Sequence, residues 1–195
     1  MYKNKLNKIL LNDEPSKELY KLIENGEMKD IIPELIKLKG FNQHTPYHDK
    51  DILDHTMTVV DSIKPKLILR MAALLHDISK PDCFTIDEKG RGHFYGHHIK
   101  SANESEIILQ RLGYGEEFIE NVQILIRYHY IKDINKNIKE KGIEKFIDDV
   151  GENRLEDILE LIKADIMGKS DSNNFDVINK LKQMINDYIK KDIEQ

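Results

Sequence analysis

Four stretches of this sequence end an apolar helical stripe on a residue that can bind a metal. Ile68, Leu69, Ala72, Leu75 and His76 share one side of a strongly apolar segment, and Asp77 follows at once. Phe118, Val122, Leu125 and His129 are spaced by four, three and four, which puts His129 on the buried face of its helix. Ile158, Leu161 and Ile162 lead to Asp165 in the same manner, and His55 lies one turn before Val59, amid Ile52, Leu53 and Val60. A buried carboxylate without a partner is strongly disfavoured. Asp77 and Asp165 must therefore be paired, protonated or bound to a cation. For one such position alone, a structural Asp–His or Asp–Arg pair is the ordinary explanation, because buried polar groups find hydrogen-bond partners. Four helices sharing the pattern point to convergence on one cation. Imidazole and carboxylate together suit manganese, iron, zinc, nickel or cobalt, and magnesium where carboxylates dominate. Adjacent helical side chains point about 100° apart, yet at a helix end both His76 and Asp77 can turn toward one ion.

The elements that must hold these residues read as helices. Leu6, Ile9 and Leu10 mark a first amphipathic segment, and Pro15, at a first-turn position, opens a second that ends near Gly26. Ile31, Ile32, Leu35, Ile36 and Leu38 define a third, closed by Gly40. After the polar stretch FNQHTPYH, Asp49 is the expected N-cap of a helix running to about Ile63. Pro65 starts the next, PKLILRMAALLHDISK, which Pro81 stops. Between Cys83 and Gly96 the helical period fails. There FTIDEKGRGHFYG has two short β-prone runs around Lys89 and Gly90, which predicts a small hairpin or ordered loop. Further helices are expected over about His98–Leu112, Glu116–Tyr130, Ile143–Val150, Arg154–Met167 and Phe175–Ile193, with SDSNN as a loop. The fold class is all-α, a helical bundle with one short β-hairpin or ordered loop. Residues 1–40 are expected to form an N-terminal helical cap packed on the core, 41–170 the central domain, and 171–195 a C-terminal helix packed on it.

Composition narrows the functional classes. A chain of 195 residues suits one domain and can bury a core without staples. The single cysteine, Cys83, rules out an intrachain disulfide and a Cys-rich zinc cluster. No apolar run approaches the ~20 residues of a membrane span, and the amphipathic N-terminus lacks the features of a signal peptide. The expectation is a cytoplasmic protein with no membrane partner. A net charge of −5 argues against broad, non-specific nucleic-acid binding, although a local basic patch near Lys64 and Lys66 stays open.

Several stretches together resemble the HD-domain metal-dependent phosphohydrolase superfamily. The likeness runs from about Phe41 to Lys169. It rests on DHT at Asp54 to Thr56, ALLHDISKP at Ala73 to Pro81, GRGHFYGHHIKSA at Gly90 to Ala102, RYH at Arg127 to His129, and KADIMGKS at Lys163 to Ser170. The superfamily pattern H…HD…D falls on His55, His76, Asp77 and Asp165. PYHDKDILDHT, with GRGHFYGH, is similar to the HD domains attached to bacterial tRNA nucleotidyltransferases and poly(A) polymerase-like proteins. Two departures stand out. Ser79 replaces a glycine frequent in the family, which alters backbone freedom but removes no ligand. The sequence also has no Gly-rich phosphate loop or strand-borne carboxylate pair of a nucleotidyltransferase head, so nucleotide addition is not expected and the HD domain would act alone or with a partner.

The resemblance implies a phosphohydrolase, monoesterase or diesterase, that uses one or two divalent ions on nucleotides or RNA 3′-end phosphates. By motif position His97 and His129 match the ligands of a second ion, with the adjacent His98 able to substitute for His97 or simply facing solvent at the helix start. Asp77 could bridge two ions. Lys80, one turn from His76, can reach a phosphate or be a solvated helix-end lysine favoured by the helix dipole. Gln43 and His48 could line the pocket mouth, where His48 could protonate a leaving alkoxide. Arg127 is a further phosphate candidate, and His98 a further substrate contact. His44 and His93 are expected to face solvent, and Cys83 has no catalytic role. The alternative is a catalytically silent HD module that binds a nucleotide or RNA end and regulates a partner. The substrate, the metal and the oligomeric state are left open by the sequence.

Overall fold

Pro81 shapes the centre of the molecule. Its ring lacks an N–H and collides with the carbonyl four residues back, that of Asp77, so the helix before it cannot continue. In a computed structural model of the chain, which describes residues 1–44, 51–130, 140–169 and 176–193, that helix is α5, Leu67–Leu75. It ends earlier than its apolar pattern suggests. Residues 76–80 form tight turns, with Ile78 N–H on Leu75 O at 3.2 Å and Lys80 N–H on Asp77 O at 3.0 Å. A 3-10 turn, Pro81–Cys83, follows.

The other elements surround α5. In chain order they are α1 (Tyr2–Leu10), α2 (Pro15–Glu24), α3 (Met28–Ile31), α4 (Ile52–Ser62), then beyond α5 the strands β1 (Phe84–Ile86) and β2 (Gly92–Phe94), and α6 (His97–Arg111), α7 (Glu116–Tyr128), α8 (Glu140–Val150), α9 (Leu155–Met167) and α10 (Asp176–Ile193). The all-helical expectation with one short hairpin is thus borne out. The strands are antiparallel, with Phe84 opposite Phe94 and Ile86 opposite Gly92. Every residue of α5 from Leu69 to Leu75 is buried, including Arg70. Helices α1, α4, α6, α7 and α9 all pack on it. Leu6 and Leu10 of α1, Leu19 of α2 and Leu161 of α9 are wholly enclosed. Helix α10 lies on α8 and α9 through Ile178, Leu181 and Ile185. Among the described residues no helix is long and apolar enough to cross a membrane.

Two expectations need correction. The third segment is not one helix: α3 is a single turn, and Pro33–Leu38 is a 3-10 helix. Pro33 forces Ile32 out of the helical region, to φ −138° and ψ 79°. The expected cap Asp49 lies outside the described residues; the observed N-cap of α4 is Asp51. Its Oδ1 accepts from Asp54 N–H at 2.7 Å, and its Oδ2 accepts from Gly40 N–H at 2.5 Å. One carboxylate thus caps the helix and ties down the preceding turn, where Gly40 has a φ of 71°. The remaining helix limits differ from expectation by up to three residues, chiefly at frayed ends.

Arg70 links the N-terminal helices to the centre. Its guanidinium donates to the carbonyl oxygens of Leu10 at 2.8 Å and Ile63 at 3.3 Å, and to that of Asn12. These are carbonyls that the end of α1 and the end of α4 leave without helical partners. Arg70→Ala should therefore lower the free energy of unfolding by about 3 kcal/mol, as charge-assisted bonds are lost and buried carbonyls stranded. Urea denaturation with an unchanged midpoint would contradict this.

Candidate metal centre

Five helices contribute to one buried pocket. His55 stands on the second turn of α4, His76 and Asp77 follow α5, His97 opens α6, His129 caps the end of α7, and Asp165 lies in the last turn of α9. All six are buried. The turn that Pro81 enforces explains how consecutive residues His76 and Asp77 both face inward.

The side chains meet at ligand-like separations. His55 Nε2 lies 3.0 Å from Asp165 Oδ1 and 3.6 Å from Asp77 Oδ2. His76 Nε2 lies 3.3 Å from His55 Nε2, 3.2 Å from Asp77 Oδ2 and 3.7 Å from Asp165 Oδ1. The other oxygen of Asp77, Oδ1, faces His97 Nε2 at 3.4 Å and His129 Nε2 at 3.9 Å. Asp77 thus presents one oxygen to each of two groups of imidazoles. Two sets, His55–His76–Asp165 and His76–Asp77–His129, have ligand atoms all within 4.8 Å of one another.

Three of the imidazoles are oriented by the backbone carbonyl three residues before them. Nδ1 of His76 donates to Ala73 O at 2.7 Å, Nδ1 of His97 to Phe94 O at 2.8 Å, and Nδ1 of His129 to Ile126 O at 2.6 Å. A carbonyl only accepts, so each Nδ1 carries the proton. Each Nε2 then projects a lone pair into the pocket unless it is protonated too. Such a bond to the remote nitrogen fixes the tautomer that a metal ligand needs.

The electrostatics match. Burial holds His97 and His129 down, to pKa values of about 4 and about 3, so both rings are neutral at pH 7. Burial also lowers His55, against the pull of Asp165 and Asp77. His76 is the exception: burial opposes its charge, but Asp77 and Asp165 outweigh it and raise the pKa to about 9. Burial favours the neutral form of both carboxylates, yet their partners hold them well below the usual range, the charges of His76 and Lys80 for Asp77, and the charge of Lys169 with a hydrogen bond from His55 for Asp165. Lys80 Nζ is 2.6 Å from Asp77 Oδ2, and Lys169 Nζ is 2.7 Å from Asp165 Oδ2.

Close packing fixes the back of His55. A Cβ added at Gly168, the residue ending α9, would stand 2.8 Å from His55 Nδ1 and 2.9 Å from its Cε1. Gly168→Ala should push the ring toward the pocket and weaken metal affinity by about 10-fold or more, the scale of disturbed ligand support. Equal metal affinity in the variant, measured by competition with a chelating dye, would count against the assignment of His55.

Other residues singled out from the sequence are distributed more widely. Lys80 is in the pocket, at Asp77. His98 sits half-buried beside it, its ring 5.7 Å from that of His97. Arg127 turns to α6 and donates to Asn103 Oδ1 at 3.2 Å. Gln43 is buried, with its backbone carbonyl pressed on the hairpin where a Cβ at Gly92 would meet it at 2.0 Å. His48 lies outside the described residues. His44 is exposed as expected, but His93 is not a free surface histidine: its Nε2 pairs with Asp87 Oδ2 at 2.9 Å across the hairpin. Ser79 keeps an ordinary negative φ, so the glycine it replaces is not needed for backbone reasons. Burial pushes the Cys83 thiol up, away from a reactive thiolate. Sequence reasoning missed Lys169, although its place one turn after Asp165 carried the signal.

The donor set fits a divalent cation. Ligands bound to one ion at about 2.1 Å, with right-angle or tetrahedral spacing, stand about 3.0–3.4 Å apart, close to the 3.0, 3.2 and 3.3 Å separations around His76 and His55. Asp77 Oδ1 is buried and has no hydrogen-bond partner among the described residues, while Oδ2 is met by Lys80. Fold and pocket together define a helical domain with a histidine–aspartate centre of metal-binding type. The profile of the HD domain family matches residues 44–173. The chain belongs to the HD domain family, within the superfamily of metal-dependent phosphohydrolases. It is 26% identical over 136 residues to the A-adding tRNA nucleotidyltransferase of Deinococcus radiodurans, a match covering 67% of this chain and 31% of that protein. It is 32% identical over 133 residues to the CC-adding tRNA nucleotidyltransferase of Thermus thermophilus, covering 65% and 30%. The Multifunctional CCA protein of Cupriavidus metallidurans is 31% identical over 128 residues, covering 64% and 30%. The chain thus spans about a third of the length of these relatives.

Proposed function

We propose that the pocket hydrolyses phosphate esters of nucleotides or of RNA 3′ ends. The observation that carries this is the position of Asp77, with Oδ2 toward His55 and His76 and Oδ1 toward His97 and His129. His55, His76, Asp77 and Asp165 would hold one divalent ion, and His97 and His129, with Asp77, a second. Such ions polarise a phosphoryl oxygen and make an attacking water acidic. Lys80 and Lys169 then carry the phosphate. Each now neutralises a carboxylate, and each is on a flexible stem that can swing to an anionic oxygen once those carboxylates are engaged. The neutral imidazoles stay available as ligands because burial disfavours their protonation. The names of the relatives support tRNA as one substrate source. Residues 1–40 would serve as a structural cap, residues 41–170 as the HD domain, and 171–195 as a helix bracing it.

Metal analysis of the purified protein, then a panel of nucleotide mono- and diesters and RNA 3′-phosphates with added Mn²⁺, Ni²⁺ and Mg²⁺, tests the proposal. Turnover of at least one ester that vanishes with chelator is expected. Metal bound with no turnover of any ester would favour the silent nucleotide-binding module instead.

A further inference from the structure

Tyr130 follows His129 directly and is 41% exposed. Its ring leans on the metal centre. The ring centroid is 5.0 Å from that of His97, 5.7 Å from that of His98 at a 31° tilt, and 6.4 Å from that of His129. Its phenol lies within electrostatic reach of Lys169. A half-exposed aromatic plate therefore stands against the second imidazole group, within electrostatic reach of the lysine that holds Asp165. Beside it, His98 Nδ1 is buried and has no hydrogen-bond partner among the described residues. Such a nitrogen is costly to leave unpaired. Arg127 adds a positive charge near the same ring.

Phosphate-binding cations next to an open aromatic face and an unsatisfied ring nitrogen call for a ligand with three properties. It must be anionic, carry a flat π-system, and present a polar edge. A nucleoside phosphate has all three, with phosphate and base one ribose apart. A sugar phosphate or inorganic ester lacks the flat π-system. We propose that Tyr130 and His98 form a nucleobase subsite, Tyr130 stacking on the base and His98 Nδ1 bonding to its edge, so that the substrates are nucleoside phosphates with an unpaired base. This rests on the phosphohydrolase reading above for the place of the phosphate.

The test compares equilibrium binding of AMP with that of ribose 5-phosphate, the same sugar ester without its base, by calorimetry on the Mn²⁺-loaded protein. The wild type should prefer AMP by about 5- to 150-fold, the range of stacking on one aromatic side chain. Tyr130→Ala and Tyr130→Leu should reduce that ratio to near one, while Tyr130→Phe keeps it. His98→Ala should reduce it by a few-fold. Equal binding of the two ligands by the wild type, or a preference that survives Tyr130→Leu, would overturn the subsite. The hydrolase reading is judged separately. If AMP is preferred through Tyr130 but no ester is turned over, the subsite stands and the hydrolase fails. If both esters are hydrolysed alike and bound alike, the hydrolase stands and the subsite fails.

Discussion

Replacing Asp77 with alanine is expected to strip the pocket of metal and to lower ester hydrolysis by roughly 10⁴-fold or more, the scale on which loss of a core catalytic group is felt. The expectation follows from position rather than from acidity alone. Asp77 is 1% exposed, and its two oxygens face different imidazole groups, with His76 Nε2 at 3.2 Å on one side and His97 Nε2 at 3.4 Å on the other. No other carboxylate among the described residues touches both groups. Asp165 reaches only His55 and His76. Asp77→Asn keeps the shape but removes the charge, and it replaces one acceptor by a donor pointed at lone pairs. It should therefore lose metal almost as completely as the alanine variant. Metal content by mass spectrometry on both proteins decides the matter. Full occupancy in Asp77→Ala would sink the assignment of the centre.

The second large effect concerns His97 and His129. Removing both should take metal stoichiometry from two ions per chain to one and reduce turnover by about 10²-fold or more, if two ions clamp the attacking and leaving oxygens. The first set would survive, because His55, His76 and Asp165 touch one another without either ring. Both rings are buried and already neutral, so the double alanine variant loses ligands and little ionic pairing. Each substitution does leave a cavity, and some loss of stability is expected from that alone. Stoichiometry is therefore the readout, with thermal unfolding as the control. Unchanged stoichiometry would place the histidines at the substrate instead.

Much of this was legible in the sequence because the fold is made of long, strongly periodic helices. Periodicity identified the buried face of α7 and put His129 on it, and it found the hairpin from the failure of the helical pattern around Gly90. It was less informative where local backbone chemistry competes with apolar spacing. Pro33 breaks a stripe that Ile31, Ile32, Leu35 and Leu38 still satisfy, since a 3-10 turn can bury the same residues. The early end of α5 was hidden for a related reason: Ile78 stays buried in the turn as it would in a helix. Asp51 rather than a neighbour capping α4 depends on the Gly40 turn, a tertiary feature. In the pocket, residue types announced the ligands, but Tyr130 carries no motif of its own. Lys169 reaches Asp165 through its place one turn later in the chain, whereas only packing sets Tyr130 against His97. His93 likewise found Asp87 because the hairpin register allows it.

His76, His97 and His129 each bond to a carbonyl three residues back, and this makes the centre a rigid mould. A side chain free to rotate loses roughly 0.5–1.5 kcal/mol when a ligand fixes it. Here folding has already frozen three rings, so capture of an ion requires almost no conformational search. Selection among ions then falls to radius and preferred coordination rather than to rearrangement of the protein. Removing the metal should leave the helical circular dichroism unchanged, and reloading should be fast and need no refolding.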